Sequence, residues 1–186
     1  MTVSPRFPPE VKKKVVKLAQ AQDTTAHAFM LAAIREKVEA EAARAEFDAE
    51  GKRRLTRMKR SGLAIPAAEV FDYLERRALG KSAVRPKARG IACVIVFDAE
   101  ALEDLERIFE FSFARDPATA LDHIRRIREG ISILANHPEI GRVVAGSPLR
   151  ELAISHAASG CIALYQHAPL ERLVRVAAVR HQREAG

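Results

Sequence analysis

Three groups of side chains could do chemistry. Near the start, Thr2, Ser4 and Arg6 alternate with Val3, Pro5 and Phe7, so a short strand would present the polar residues on one face and bury the apolar ones on the other. Hydroxyls beside a guanidinium on a ribbon are base readers, since Arg donates to guanine edges and Ser or Thr to either base type. Thr24 and Thr25 open a helix whose free N–H groups could hold a phosphate. At the other end, Arg180, His181 and Arg183 cluster at the exit of the last expected strand and offer a cationic contact surface. Tyr165 alternates with apolar residues on a strand, which favours packing. His137, His156 and His167 sit on separate segments without helical spacing and read as solvated or capping. Cys93 and Cys161 have no CxxC or histidine companion, so neither a disulfide framework nor a metal site is expected, and no cofactor.

The elements that must position these groups follow from periodicity. A strand over 2–7 is followed by a helix from about 9 to 22, opened by Pro9. A second helix with Phe29, Met30, Ala33, Ile34 and Val38 on one side extends to about 59, either continuous or interrupted at Gly51. A third segment opens at Ile65-Pro66 and carries Val70, Phe71 and Leu74 up to Gly80. Residues 81–90, KSAVRPKARG, read as a linker. A buried strand over 91–97 comes next. Helices capped by Asp98 and Asp116 then form a hairpin, and strands are expected over 149–155, 161–166 and 173–179. The fold class is α+β, ending in a β-α-α-β-β-β domain with its helical hairpin on a small antiparallel sheet.

Composition limits the partners. The chain of 186 residues is 48% hydrophobic and 30% charged, as packed domains are. Its longest apolar run, 91–97, is far short of the roughly 20 residues of a membrane span, and its start lacks a secretion signal, so a cytoplasmic protein with no membrane partner is expected. Net charge is +7, carried wholly by the first part: residues 1–86 hold 18 Lys and Arg against 11 Asp and Glu, while residues 87–186 hold 13 of each. A basic module facing a polyanion, joined to a neutral one, accounts for that split. A lone strand over 2–7 has no partner nearby in sequence; pairing with a second copy makes an antiparallel ribbon that fits the DNA major groove.

The stretch VSPRFPPEVKKKVVKLAQAQDTTAHAFMLAAIREKV resembles the ribbon-helix-helix domain of CopG-like and ParD-like antitoxins. That resemblance implies operator binding by a homodimer through the N-terminal strand, with Thr2, Ser4, Arg6, Thr24 and Thr25 at the DNA. Pro5 departs from the family's strand, because it removes a ladder donor. SGLAIP followed by EVFDYL resembles the arm with which such antitoxins wrap their toxins, which implies Ile65, Val70, Phe71 and Leu74 as the antitoxin–toxin interface. Over 91–186, NHPEIGR, REL, SG, ALY and the ending VRHQREAG resemble the RelE/ParE toxin superfamily, the ending most closely its ParE-like branch. RelE-like nucleases carry an arginine where Ile162 stands, and an aliphatic side chain cannot stabilise a phosphorane.

The resemblances together imply a type II toxin-antitoxin pair in one chain: 1–45 a ribbon-helix-helix dimerisation and DNA-binding domain, 46–80 a neutralising arm acting in cis or in trans, 81–90 a linker and 91–186 the toxin. The toxin is expected to inhibit DNA gyrase rather than to act as an enzyme, with Tyr165, Arg180, His181 and Arg183 as target contacts. The alternatives are a RelE-like ribosome-dependent mRNA endonuclease and a plain repressor with an inert C-terminal domain.

Overall fold

A computed structural model of the chain describes residues 7–90, 94–154 and 160–182. It divides into two compact units, one of residues 1–43 and one of residues 44–185. The fold is mixed helix and sheet, in keeping with α+β. Among the described residues no helix is long and apolar enough to cross a membrane.

In the first unit, α1 (Pro9–Ala21) begins with proline in its first turn, where the missing N–H costs nothing. Asp23 turns the chain in the left-handed region at φ 50°. The Thr25 hydroxyl then accepts the Ala28 N–H at 3.1 Å, capping α2 (Ala26–Ser61). The expected strand falls on Thr2, Ser4 and Arg6, which lie outside the described residues; Phe7 is described and belongs to no strand. Ala19 is the buried residue of α1, whereas Val11, Val16, Leu18, Leu31, Ile34 and Val38 are exposed.

In the second unit α2 continues unbroken through Gly51, so of the two alternatives there the continuous helix is the one present. Its end is sharp, since Gly62 takes φ +67° and lets the chain reverse. Ile65 and Pro66, expected to open a helix, instead end a strand, β1 (Leu63–Pro66), and α3 (Ala67–Ala78) starts behind Pro66. The segment read as a linker ends in β2 (Arg89–Gly90), which pairs back onto β1. There follow β3 (Ile95–Phe97), α4 (Ala99–Phe113), α5 (Pro117–Ser132), β4 (Arg142–Val143), β5 (Arg150–Ile154), β6 (Cys161–Ala168) and β7 (Leu173–His181). Residues 91–93 of the expected first strand lie outside the described residues.

The strands form one seven-stranded sheet in the order β2-β1-β3-β7-β6-β5-β4. It is mixed rather than antiparallel, because β3 runs parallel to β7. The cause is topological: α4 and α5 carry the chain from β3 back across the sheet before β5, β6 and β7 return as a meander. One face carries the larger core, in which Phe97, Leu102, Leu105, Ile124, Ile127, Tyr165 and Val176 pack together.

Both tyrosines of this tryptophan-free chain belong to that packing, and burial pushes both phenols above the ordinary value of 10.0. Tyr73 is raised further by the Glu106 carboxylate, which accepts its hydroxyl at 2.8 Å. A phenol that holds its proton more tightly when folded stabilises the fold at pH below about 10 and loses that contribution as pH rises through the folded value. Spectrophotometric titration near 295 nm is therefore expected to show tyrosinate only above pH 10, appearing together with unfolding; ionisation at pH 10 with circular dichroism unchanged would contradict it.

Candidate functional site

Within the second unit, the segment 44–90 adds β1 and β2 to the sheet and lays α3 and α2 on its two faces. On the face of the larger core, α3 is strongly one-sided: Val70, Phe71 and Leu74 are buried with Ile65 of β1 in one cluster with Phe97, Leu102, Leu105 and Phe109. The Phe71 and Phe97 rings meet edge to face at 5.7 Å and 88°, the favoured arrangement for two quadrupoles. β1 extends the sheet at the same place, Ile65 opposite Phe97 and Pro66 opposite Val96. Proline ends the strand without idling a ladder donor there. The four residues expected at an arm interface are thus brought together against residues 97–109.

The opposite face is covered by α2 through Gly51, Leu55 and Met58. Gly51 permits the approach: a Cβ there would lie 2.7 Å from Leu164 Cδ1 and 3.2 Å from Leu149 Cδ1, too close for any side chain. Leu55 joins Val144, Leu149, Leu164, Ala177 and Ala178; Met58 joins Ala64, Val96 and Leu173. Phe47, Gly51, Leu55 and Met58 recur every three or four residues, a helical stripe that the surrounding charges and the glycine concealed in the sequence.

Ion pairs frame the α2 contact, with arginines on α2 and carboxylates on the sheet and α4. Arg44 grips both Glu151 oxygens at 3.0 and 2.9 Å. Arg54 reaches Asp104 at 2.6 Å and Glu100 at 3.0 Å; Arg57 reaches Asp98 at 2.6 Å and Glu100 at 2.5 Å. Arg85, in the segment read as a linker, holds Glu106 at 3.0 Å, and so that segment is tied down rather than free. Asp104 also accepts the Val179 N–H at 3.0 Å. Burial opposes the charge on Arg54, but the bonds from Asp104 and Glu50 outweigh it and hold its pKa above the usual value. Burial pushes Asp98 up against the pull of its cap bond and of Arg57. Burial and the neighbouring Glu151 carboxylate push Asp48 up. None of these arginines was singled out in the sequence, where scattered arginines on a long helix look like a wet surface.

The described members of the expected target-contact set, Tyr165, Arg180 and His181, are not brought together as one surface. Tyr165 is 0% exposed and its hydroxyl accepts the Gly141 N–H at 2.9 Å, which corrects its assignment as a target contact: nothing of it reaches a partner. The Arg180 guanidinium lies 4.5 Å from the Phe47 ring centroid, under α2. The His181 ring stands 6.0 Å from that of His123. Arg183 lies outside the described residues, as do Cys93 and His156. Thr24 donates its N–H to the Ala19 carbonyl and Thr25 caps α2. His137 is exposed, and His167 lies 3.5 Å from Glu139. No group of three or more metal-binding side chains occurs among the described residues.

Residues 95–186 match the family model for the ParE toxin of the type II toxin-antitoxin system, parDE. The C-terminal part of the chain is therefore ParE-like, and strands β3 to β7 of the sheet fall in it. No curated protein matches the chain.

Proposed function

We propose that the chain is an antitoxin and its toxin in one polypeptide, in which residues 44–90 mask the ParE-like domain and residues 1–43 bind operator DNA as a homodimer. The observation that carries the masking is the burial of Ile65, Val70, Phe71 and Leu74 in one core with Phe97, Leu102 and Leu105 of the ParE-like part. A segment of 44–90 held by apolar burial on both sheet faces and by arginine–carboxylate pairs has the chemistry of an inhibitor clamp. The homodimer is supported by the exposed side chains of Val11, Val16, Leu18, Leu31, Ile34 and Val38, a stripe that two helices leave to water unless a second copy covers it. Pairing of Thr2–Phe7 with its mate then places Thr2, Ser4 and Arg6 at the base edges and Thr24 and Thr25 at phosphates.

The target of the unmasked domain is DNA gyrase in this reading, because Ile162 stands where a nuclease of the superfamily needs a cation. The test uses a protease site placed at Val84, which is 89% exposed, to cut the chain and separate the halves. Inhibition of gyrase supercoiling by the released C-terminal half, and none by the intact chain, is expected. Cleavage of ribosome-bound mRNA with normal supercoiling would replace gyrase by the ribonuclease alternative. No effect in either assay or on growth would leave a repressor with an inert domain.

A further inference from the structure

Under α2 the sheet holds a cation that the fold answers only in part. Gln166 on β6 and Arg175 on β7 are register partners. Alternation puts both on the α2 face: their neighbours Tyr165 and Val176 enter the larger core, Leu164 lies against Gly51, and Val96, the β3 partner of Arg175, packs with Met58. Arg175 is 4% exposed and Gln166 9%. Arg175 Nη2 is paired with Glu171, but its Nε and Nη1, and Gln166 Oε1, have no hydrogen-bond partner among the described residues. The residues that α2 buries, Gly51, Leu55 and Met58, carry no acceptor in their side chains.

Idle donors on a buried guanidinium are costly, and an apolar side chain of similar volume would serve the covered state better. Their use therefore belongs to the uncovered state. The geometry points to Arg175 and Gln166 as a carboxylate-recognition point of the ParE-like domain, hidden by α2 and offered to an acidic, amphipathic helix of the target protein when α2 leaves. This rests on the toxin reading above. The surroundings select a protein helix over nucleic acid: Val144, Leu149, Leu164, Ala177 and Ala178 make the middle of the face apolar and small, the footprint that α2 already fills. A phosphate backbone is instead held by many cations along its path. Asp48 of α2 faces Glu151, Arg44 and Arg180 instead, so a helix with α2's apolar stripe and a carboxylate above Arg175 would supply an acceptor that Gly51, Leu55 and Met58 do not.

The experiment keeps the full chain and lifts α2 by substitution at Gly51, using whichever of Gly51→Leu and Gly51→Phe makes Arg175 reactive toward phenylglyoxal by mass spectrometry; in the unsubstituted chain Arg175 is expected to be protected. Binding of purified DNA gyrase to the lifted chain is then measured by biolayer interferometry. Arg175→Met and Gln166→Leu in the lifted chain are expected to weaken binding tenfold or more, with Arg175→Lys retaining part of it. In the unlifted chain Arg175→Met is expected to leave Tm unchanged or higher; a clear fall would make Arg175 a structural residue and overturn the site. Gyrase binding that survives Arg175→Met overturns the site and leaves the gyrase reading standing. No gyrase binding by the lifted chain overturns that reading and this site with it. Arg175-dependent binding to ribosome-bound RNA instead would assign phosphate and overturn the carboxylate.

Discussion

Arg54→Ala is expected to lower the stability of the 44–185 unit by about 3–5 kcal/mol, the loss that follows when one partner of a buried ion pair is removed. The Arg54 side chain is 12% exposed and that of Asp104 6%. Removing the guanidinium leaves the Asp104 carboxylate buried with the Val179 N–H at 3.0 Å and with Arg107, an exposed arginine that bonds it at 3.1 Å. Neither replaces a cation at 2.6 Å inside the protein. Urea unfolding followed by circular dichroism measures the loss. Arg54→Ala with Asp104→Ala is expected to cost less than the sum of the single changes, because the second substitution removes the charge that the first one strands. A loss under about 1 kcal/mol for Arg54→Ala would mean that the pair behaves as a surface salt bridge.

That pair also marks the limit of what the sequence could tell. Asp98 and Asp116 announced α4 and α5 because each acts locally: Asp98 accepts the Glu100 N–H at 2.9 Å, and Asp116 accepts those of Ala118 and Thr119. β7 was legible from its own β-branched run. β1 and β4 were not, since strands of so few residues exist only through their partners, β3 and β5. Gly51 leaves the continuity of α2 open in the sequence because glycine costs an isolated helix about 1 kcal/mol relative to alanine, whereas in the fold the missing side chain is what lets α2 lie on Leu164. The arm stripe at Val70, Phe71 and Leu74 was visible in α3, but its continuation in α2 was diluted by arginines and glutamates that turn out to pair across the contact. Arg175 left no trace at all: an arginine alternating on a strand looks like a solvent-facing residue, yet it is 4% exposed, on the sheet face against which Gly51, Leu55 and Met58 pack from more than a hundred residues earlier in the chain.

Phe71→Ala is the second large effect. Phe71 is 2% exposed with its ring edge-on to Phe97, so truncation removes aromatic surface and leaves a cavity between α3 and the ParE-like core, at an expected cost of about 3–5 kcal/mol. Phe111→Ala, at 58% exposure on α4, serves as the control and is expected to stay within about 0.5 kcal/mol. The two substitutions remove the same side chain from different settings, since Phe71 is buried on the segment proposed to mask the ParE-like core and Phe111 is exposed on α4. At about tenfold per 1.4 kcal/mol, loss of the Phe71 contacts raises the fraction of molecules with the segment detached at least a hundredfold if detachment and not global unfolding is the easier opening. Growth arrest and inhibited supercoiling in cells expressing Phe71→Ala, at protein levels matched to Phe111→Ala, is the expected result. A Phe71→Ala chain that unfolds as a whole, with the masking segment and the ParE-like domain melting in one transition and no toxicity, would show that the two are parts of a single fold instead of inhibitor and target.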